Sequence, residues 1–355
     1  MPSPTITGHR ADNEETQGNA MSAIDTMMPP VRYAEVNGIR MAYYEAGPEG
    51  RGAPLVFCHG FPELAFSWRH QIKAMSDAGR WVIAPDQRGY GLTEAPEAVE
   101  SYDIEHLCAD LVALLDAKGV QKAIFVGHDW GGIVVWQMAL RHPDRVAGVI
   151  GLNTPFNPRP PVDPIAIMRK RLGERMYIVH FQTPGEADAA LDADVRKAME
   201  FFMKRPLDLP DAPAGAGFAT ERKEGDPSVF PLVDLLAAYD PAVDPRPRLL
   251  TDAEMDVFVE SFERSGFTGG INWYRNFTRN WERSEGLKDH VPHPSLMVMA
   301  EKDAVLPPSS ADGMEQFIPD LEKQLVTGSG HWTQQEEPEQ VNRIMLDWLN
   351  RRFPL

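Results

Sequence analysis

Apolar residues along the chain follow two alternating patterns. Short apolar runs bounded by Gly, Pro, Asn or Asp predict strands at 54–58, 81–85, 123–126 and 146–152. Between them, apolar residues at helical spacing predict helices over 68–78, 104–118 and 133–140. Ahead of these, residues 31–46 hold two strand-like runs around Asn37-Gly38, a two-residue hairpin sequence. Alternation of this kind predicts a mostly parallel, doubly wound sheet. The rhythm breaks after Thr154-Pro155. Residues 156–290 read as helical, with a Pro-, Gly- and charge-rich loop at about 206–247. Two strand-like runs, 294–300 and 323–326, then return, followed by a closing helix over 337–353. The expected organisation is a core of residues 31–155 and 291–355 with a helical lid, 156–290, inserted after the sixth strand. Residues 1–30 are polar, end in Met27-Met28-Pro29-Pro30, and predict a disordered leader.

One stretch stands at a strand-to-helix junction, Gly127-His128-Asp129-Trp130-Gly131-Gly132. Gly-x-nucleophile-x-Gly in that position is the layout of a nucleophile elbow, where side chains at the glycines would crowd neighbouring backbone. The central residue is an aspartate. An ionised carboxylate needs no base to act as a nucleophile, and it suits an activated sp3 carbon better than an ester or amide. Taken alone, Asp129 could simply cap the following helix. Two further positions argue otherwise. Asp303, in Glu301-Lys302-Asp303, follows one of the last strands, and His331, in Gly328-Ser329-Gly330-His331-Trp332, follows the other. Nucleophile, acid, histidine is the chain order such a site uses. Glu301 is the rival acid, placed earlier on the strand edge; the position after the sixth strand reads Leu152-Asn153-Thr154 and holds no carboxylate. His59-Gly60-Phe61-Pro62 follows the third strand, where a main-chain N–H joins that of the residue after the nucleophile in an oxyanion hole. That assigns the hole to Phe61 and Trp130. Asp86-Gln87-Arg88-Gly89-Tyr90-Gly91 reads as a structural loop.

Composition narrows the partners. With 52 acidic against 35 basic residues and a net charge of −17, the chain repels phosphate backbones and anionic lipid, so neither nucleic acid nor a membrane is an expected partner. The two cysteines, Cys58 and Cys108, fall in apolar patterns, suggest no disulfide framework and show no metal-ligand spacing. No apolar run is long enough to span a bilayer, and a cytoplasmic setting is expected.

Together these motifs, with Glu63 after Pro62 and the lid stretch Asn272-Trp273-Tyr274-Arg275-Asn276, resemble the epoxide hydrolases of the α/β-hydrolase fold family, over about residues 31–353. The chain is similar to the hydrolase domain of the mammalian soluble enzyme. The resemblance implies an α/β-hydrolase fold, no cofactor or metal, an epoxide and water as partners, and detoxification as the setting; a homo-oligomer is left open. It adds two lid tyrosines as acids, Tyr274 and Tyr177, the latter in Tyr177-Ile178-Val179-His180-Phe181-Gln182, where His180 replaces the aromatic common in relatives. Asp129, Asp303, His331, Tyr177 and Tyr274 are then the catalytic set, and His59, Pro62 and Trp332 are expected to contact substrate. A haloalkane or haloacid dehalogenase also uses an elbow aspartate and is the alternative activity; a non-catalytic ligand-binding fold is the alternative class. The paired tyrosines favour the epoxide, because ring opening develops an alkoxide that needs a proton.

Overall fold

The computed structural model describes residues 24, 26–207 and 228–355. Eight strands form one sheet: β1 (Val31–Val36), β2 (Ile39–Ala46), β3 (Leu55–Cys58), β4 (Val82–Pro85), β5 (Ala123–His128), β6 (Val146–Leu152), β7 (Ser295–Ala300) and β8 (Leu321–Val326). Their order is β1-β2-β4-β3-β5-β6-β7-β8, antiparallel at β1–β2 and β2–β4 and parallel elsewhere. The β1–β2 hairpin turns on Asn37 (φ 45°) and Gly38 (φ 80°), both in the left-handed region that a two-residue turn requires. Strands β3, β4 and β5 are buried along their whole length, as expected of parallel strands covered on both faces.

Helices α1 (Arg69–Asp77), α2 (Ile104–Ala117) and α3 (Trp130–Arg141) connect the first strands. Asp103 caps α2, its carboxylate accepting the His106 N–H. Between β6 and β7 the chain forms α4 (Pro164–Leu172), α5 (Tyr177–His180), α6 (Glu186–Asp192), α7 (Val195–Phe202), α8 (Leu232–Ala238), α9 (Asp252–Ser265), α10 (Thr268–Arg275) and α11 (Phe277–Glu282). The expected loop at 206–247 is therefore broken in its second half by α8, which buries Leu232, Val233 and Leu236; the rest of it, 208–227, lies outside the described residues. Most of the expected leader lies outside them too, though Met28 is buried against the core. The short α12 (Thr333–Glu336) and α13 (Pro338–Arg352) close the chain.

The inserted helices sit on the sheet's C-terminal edge. Arg69 of α1 binds Glu254 of α9 at 2.9 Å, Arg279 of α11 binds Asp103 at 2.8 Å, and the Trp273 indole N–H donates to the Arg88 carbonyl. Strand order reverses around β3, which has β4 on one side and β5 on the other. A crevice forms at such a switch point, where loops leave neighbouring strands in opposite directions. The loops after β3 and β5 flank it. Among the described residues, no helix is long and apolar enough to cross a membrane.

Candidate active site

Asp129 sits between β5 and α3 at φ 51°, ψ −122°, a strained conformation for a residue with a side chain. The flanking glycines make the turn possible. A Cβ on Gly127 would lie 2.2 Å from the Gly131 carbonyl oxygen, and one on Gly131 would lie 1.9 Å from that of Cys58. The Asp129 side chain makes no capping bond to α3, so the helix-cap reading fails. Instead its Oδ1 accepts the Phe61 main-chain N–H at 2.8 Å. Gly60 permits that approach, since a Cβ there would lie 2.4 Å from Asp129 Cβ.

His331 and Asp303 arrive from the ends of β8 and β7. His331 Nδ1 lies 3.0 Å from Asp303 Oδ2, and its Nε2 lies 3.6 Å from Asp129 Oδ2. Asp303 is buried, and its Oδ1 accepts the N–H groups of Val305 and Leu306. Burial opposes its charge, yet His331, the Asn153 amide and the Leu306 N–H together hold its carboxyl well below the usual carboxylate range. Burial likewise opposes charge on His331; the Asp303 and Asp129 carboxylates outweigh it and push the imidazole well above its ordinary value. Glu301 instead accepts the Gly328 N–H at an exposed turn.

Tyr177 on α5 and Tyr274 on α10 face Asp129 from the lid. Their rings stand 5.6 Å apart, meeting edge-on. Burial, and then the Asp129 charge for Tyr177 and the neighbouring phenol for Tyr274, push both pKa values well above 10, so both stay protonated. Trp130, at the first position of α3, has a main-chain N–H that needs no partner within the helix, and its indole meets Tyr274 edge-on at 5.2 Å. Asp129, His331, Tyr177 and Tyr274 line a cavity of about 250 Å³ whose walls include Phe61, Phe201, Phe202, Phe230, Leu232, Val305 and Trp332.

Two residues expected at the substrate are elsewhere. His59 is fully buried beneath the loop: its Nδ1 donates to the Gly60 carbonyl and its Nε2 accepts the Gln87 N–H, both at 3.0 Å. Pro62 is buried beside it and does not line the cavity. Trp332 does line it, and its indole N–H also donates to the Phe202 carbonyl of the lid at 2.8 Å. Asp86 is buried in its loop, accepting the N–H groups of Ala65 and Leu92, consistent with a structural task.

Three residues given no role from sequence hold this framework. Glu63 is fully buried; its Oε2 accepts the Gly60 N–H and lies 2.8 Å from His128 Nδ1, and its Oε1 accepts from Gln334. Burial raises the Glu63 carboxyl, but His128 and the Gly60 N–H outweigh it and lower the pKa to about 2. His128 Nε2 lies 2.6 Å from the His331 carbonyl, so each of its ring nitrogens faces an acceptor. Asn153 (φ 60°) follows the sixth strand, and its amide donates to Asp303 Oδ2 at 2.7 Å and to the carbonyls of Gly330 and His331. A buried acid one residue past Pro62 and a histidine inside the elbow were the available signals for the first two.

Comparison with known proteins agrees with this geometry. The family model described as alpha/beta hydrolase fold matches residues 53–338. Epoxide hydrolase A of Mycobacterium tuberculosis is 44% identical over 325 residues, covering 90% of this chain and 97% of that protein. Bifunctional epoxide hydrolase 2 of Mus musculus is 39% identical over 314 residues, 88% of this chain; the match spans 54% of the mouse protein, about half its length. The crystal structure of epoxide hydrolase A from Mycobacterium thermoresistibile superposes with a TM-score of 0.80 at 44% identity, covering 91% of this chain and 98% of that one. The chain belongs to the epoxide hydrolases of the α/β-hydrolase fold family.

Proposed function

We propose that the protein opens epoxides to vicinal diols in two steps, through a covalent ester on Asp129. The observation that carries this reading is the pair of protonated phenols, Tyr177 and Tyr274, facing a carboxylate already seated in a main-chain N–H. In the first step Asp129 Oδ2 attacks a ring carbon. The carbon–oxygen bond breaks, its electron pair passes to the ring oxygen, and a phenol supplies the proton. General acids of this kind contribute roughly 10²–10⁴-fold.

In the second step His331, oriented by Asp303, takes a proton from water that attacks the ester carbonyl. The resulting oxyanion occupies the position of Oδ1, held by the Phe61 and Trp130 N–H groups. Its collapse expels the diol oxygen, which takes the proton from His331, while the second water proton, left on the Asp129 carboxyl, returns to the phenolate formed in the first step and restores both groups. Trp332, Phe61 and the lid phenylalanines enclose the apolar part of the substrate. The division into a core of 31–155 and 291–355 and a lid of 156–290 serves this chemistry by closing the site to bulk water.

The acidic charge supports a small-molecule substrate over nucleic acid or membrane, and the two free, buried cysteines support a reducing, cytoplasmic setting, where removal of reactive epoxides fits as detoxification. Intact-mass measurement of His331→Gln after adding styrene oxide tests the mechanism. The expected result is a protein heavier by one substrate, with the mass mapping to Asp129; Asp129→Ala should show neither adduct nor diol. Halide release from 1-bromobutane without diol from styrene oxide would instead favour the dehalogenase reading.

A further inference from the structure

The main chain carrying His331 is held from two sides. Its carbonyl side is bound by Asn153 and His128. Its amide side is bound by one side chain, Glu336. Glu336 Oε2 accepts the Gly330 N–H at 2.7 Å and Oε1 accepts the Trp332 N–H at 2.9 Å, so one carboxylate grips the residues on either side of the histidine. The Glu336 main-chain N–H returns to the Trp332 carbonyl at 2.8 Å, closing a ring over residues 332–336. Glu336 is 3% exposed and does not line the substrate cavity, whereas Gly330, His331 and Trp332 all do.

We propose that Glu336 is a positioning residue for the second chemical step. It fixes the His331 loop so that Nε2 meets the water attacking the Asp129 ester, and it has no part in forming that ester. The inference rests on the two-step reading given above. Ester formation draws on Asp129, on the elbow, and on the two lid tyrosines; ester cleavage depends on where His331 stands. Burial raises the Glu336 carboxyl, and the Gly330 and Trp332 N–H groups oppose this by bonding its two oxygens. A glutamine there offers one acceptor oxygen and turns a donor toward the other N–H, releasing one side of the loop. A displacement of about 1 Å in a reacting group can cost on the order of 10²-fold.

The test is rapid-quench intact-mass kinetics with styrene oxide on wild type, Glu336→Gln and Glu336→Asp, reading the rise and the decay of the alkyl-enzyme separately. Glu336→Gln should leave the rise within about twofold of wild type and slow the decay roughly 10- to 100-fold. Glu336→Asp keeps the carboxyl group but shortens its reach, and should fall between the two. If Glu336→Gln does not fold, Glu336→Asp alone decides the matter by its ratio of decay to rise. An unchanged ratio in the variant that folds, whether or not its melting temperature drops, overturns the proposal, because a purely structural residue would not separate the two steps. Absence of any adduct even in His331→Gln would overturn the two-step reading and this inference with it. An adduct in His331→Gln alongside an unchanged ratio would overturn this inference alone.

Discussion

His331 Nε2 stands 3.6 Å from Asp129 Oδ2, close enough for the carboxylate to favour a protonated ring in the free enzyme. Once Asp129 is esterified its charge is gone, and part of what raised the imidazole goes with it. The base is thus released for use when there is an ester to cleave. Cleavage needs the neutral ring, so its rate should rise with pH through the imidazole pKa of the alkyl-enzyme, while alkylation stays flat over the same range. Single-turnover rates of adduct rise and decay between pH 5.5 and 9 check this, and parallel profiles for the two steps would contradict it.

The tyrosines should be partly redundant. Tyr177→Phe or Tyr274→Phe leaves one phenol to bind the ring oxygen, so each should slow alkylation by about 10–100-fold, and the double change should remove nearly all of it. Ester decay should be unaffected in either single variant. Stopped-flow measurement of adduct formation distinguishes these outcomes.

Asp303 orients His331 and supports its charge from a fully hydrogen-bonded, buried position. Asp303→Asn keeps the shape but presents the wrong donor pattern to Nδ1, and should lower steady-state turnover by up to about 10⁴-fold. The alkyl-enzyme should accumulate in this variant, visible by intact mass, because the nucleophile is untouched.

Glu63 should matter for both stability and the oxyanion hole. Glu63→Ala leaves the buried His128 Nδ1 and Gly60 N–H without an acceptor, at a cost of about 1–3 kcal/mol for each group. Urea unfolding at pH 7 measures the loss. The pH dependence follows from its lowered carboxyl. Stability from Glu63 is fully present above about 4.5 and is lost as pH falls toward about 2, so Glu63→Gln should flatten the acid limb of the stability curve.

Much of this architecture could be read from the chain because it rests on short-range patterns. The buried parallel strands are continuous apolar runs, the hairpin turns on Asn37-Gly38, and the elbow glycines are dictated by neighbouring backbone, to which a Cβ on Gly131 would come within 1.9 Å. The positions of Asp303 and His331 followed from their places after strands. What local pattern does not encode is which way a side chain turns at a crossing. His59 lies two residues from Phe61, yet its ring points under the loop to Gln87, away from the cavity. Glu63 and His128 meet across 65 residues of chain, and Asn153 reaches Asp303 across 150, so their tasks emerge only when the sheet brings β3, β5, β6 and β7 side by side. Helix α8 was hidden for a different reason, being a short apolar segment inside a stretch dominated by proline and charge.

The two oxygens of Asp129 are not equivalent, since Oδ1 is tied to the Phe61 N–H while Oδ2 faces His331. Chemistry that consumes Oδ2 and replaces it from water gives the enzyme a memory one turnover deep. Placed in ¹⁸O water, it should hand its first product an ordinary oxygen and keep the heavy one in the carboxylate. If Oδ1 stays in place between cycles, the second product should carry nearly all of that stored isotope; free rotation of the carboxylate would dilute it to about half.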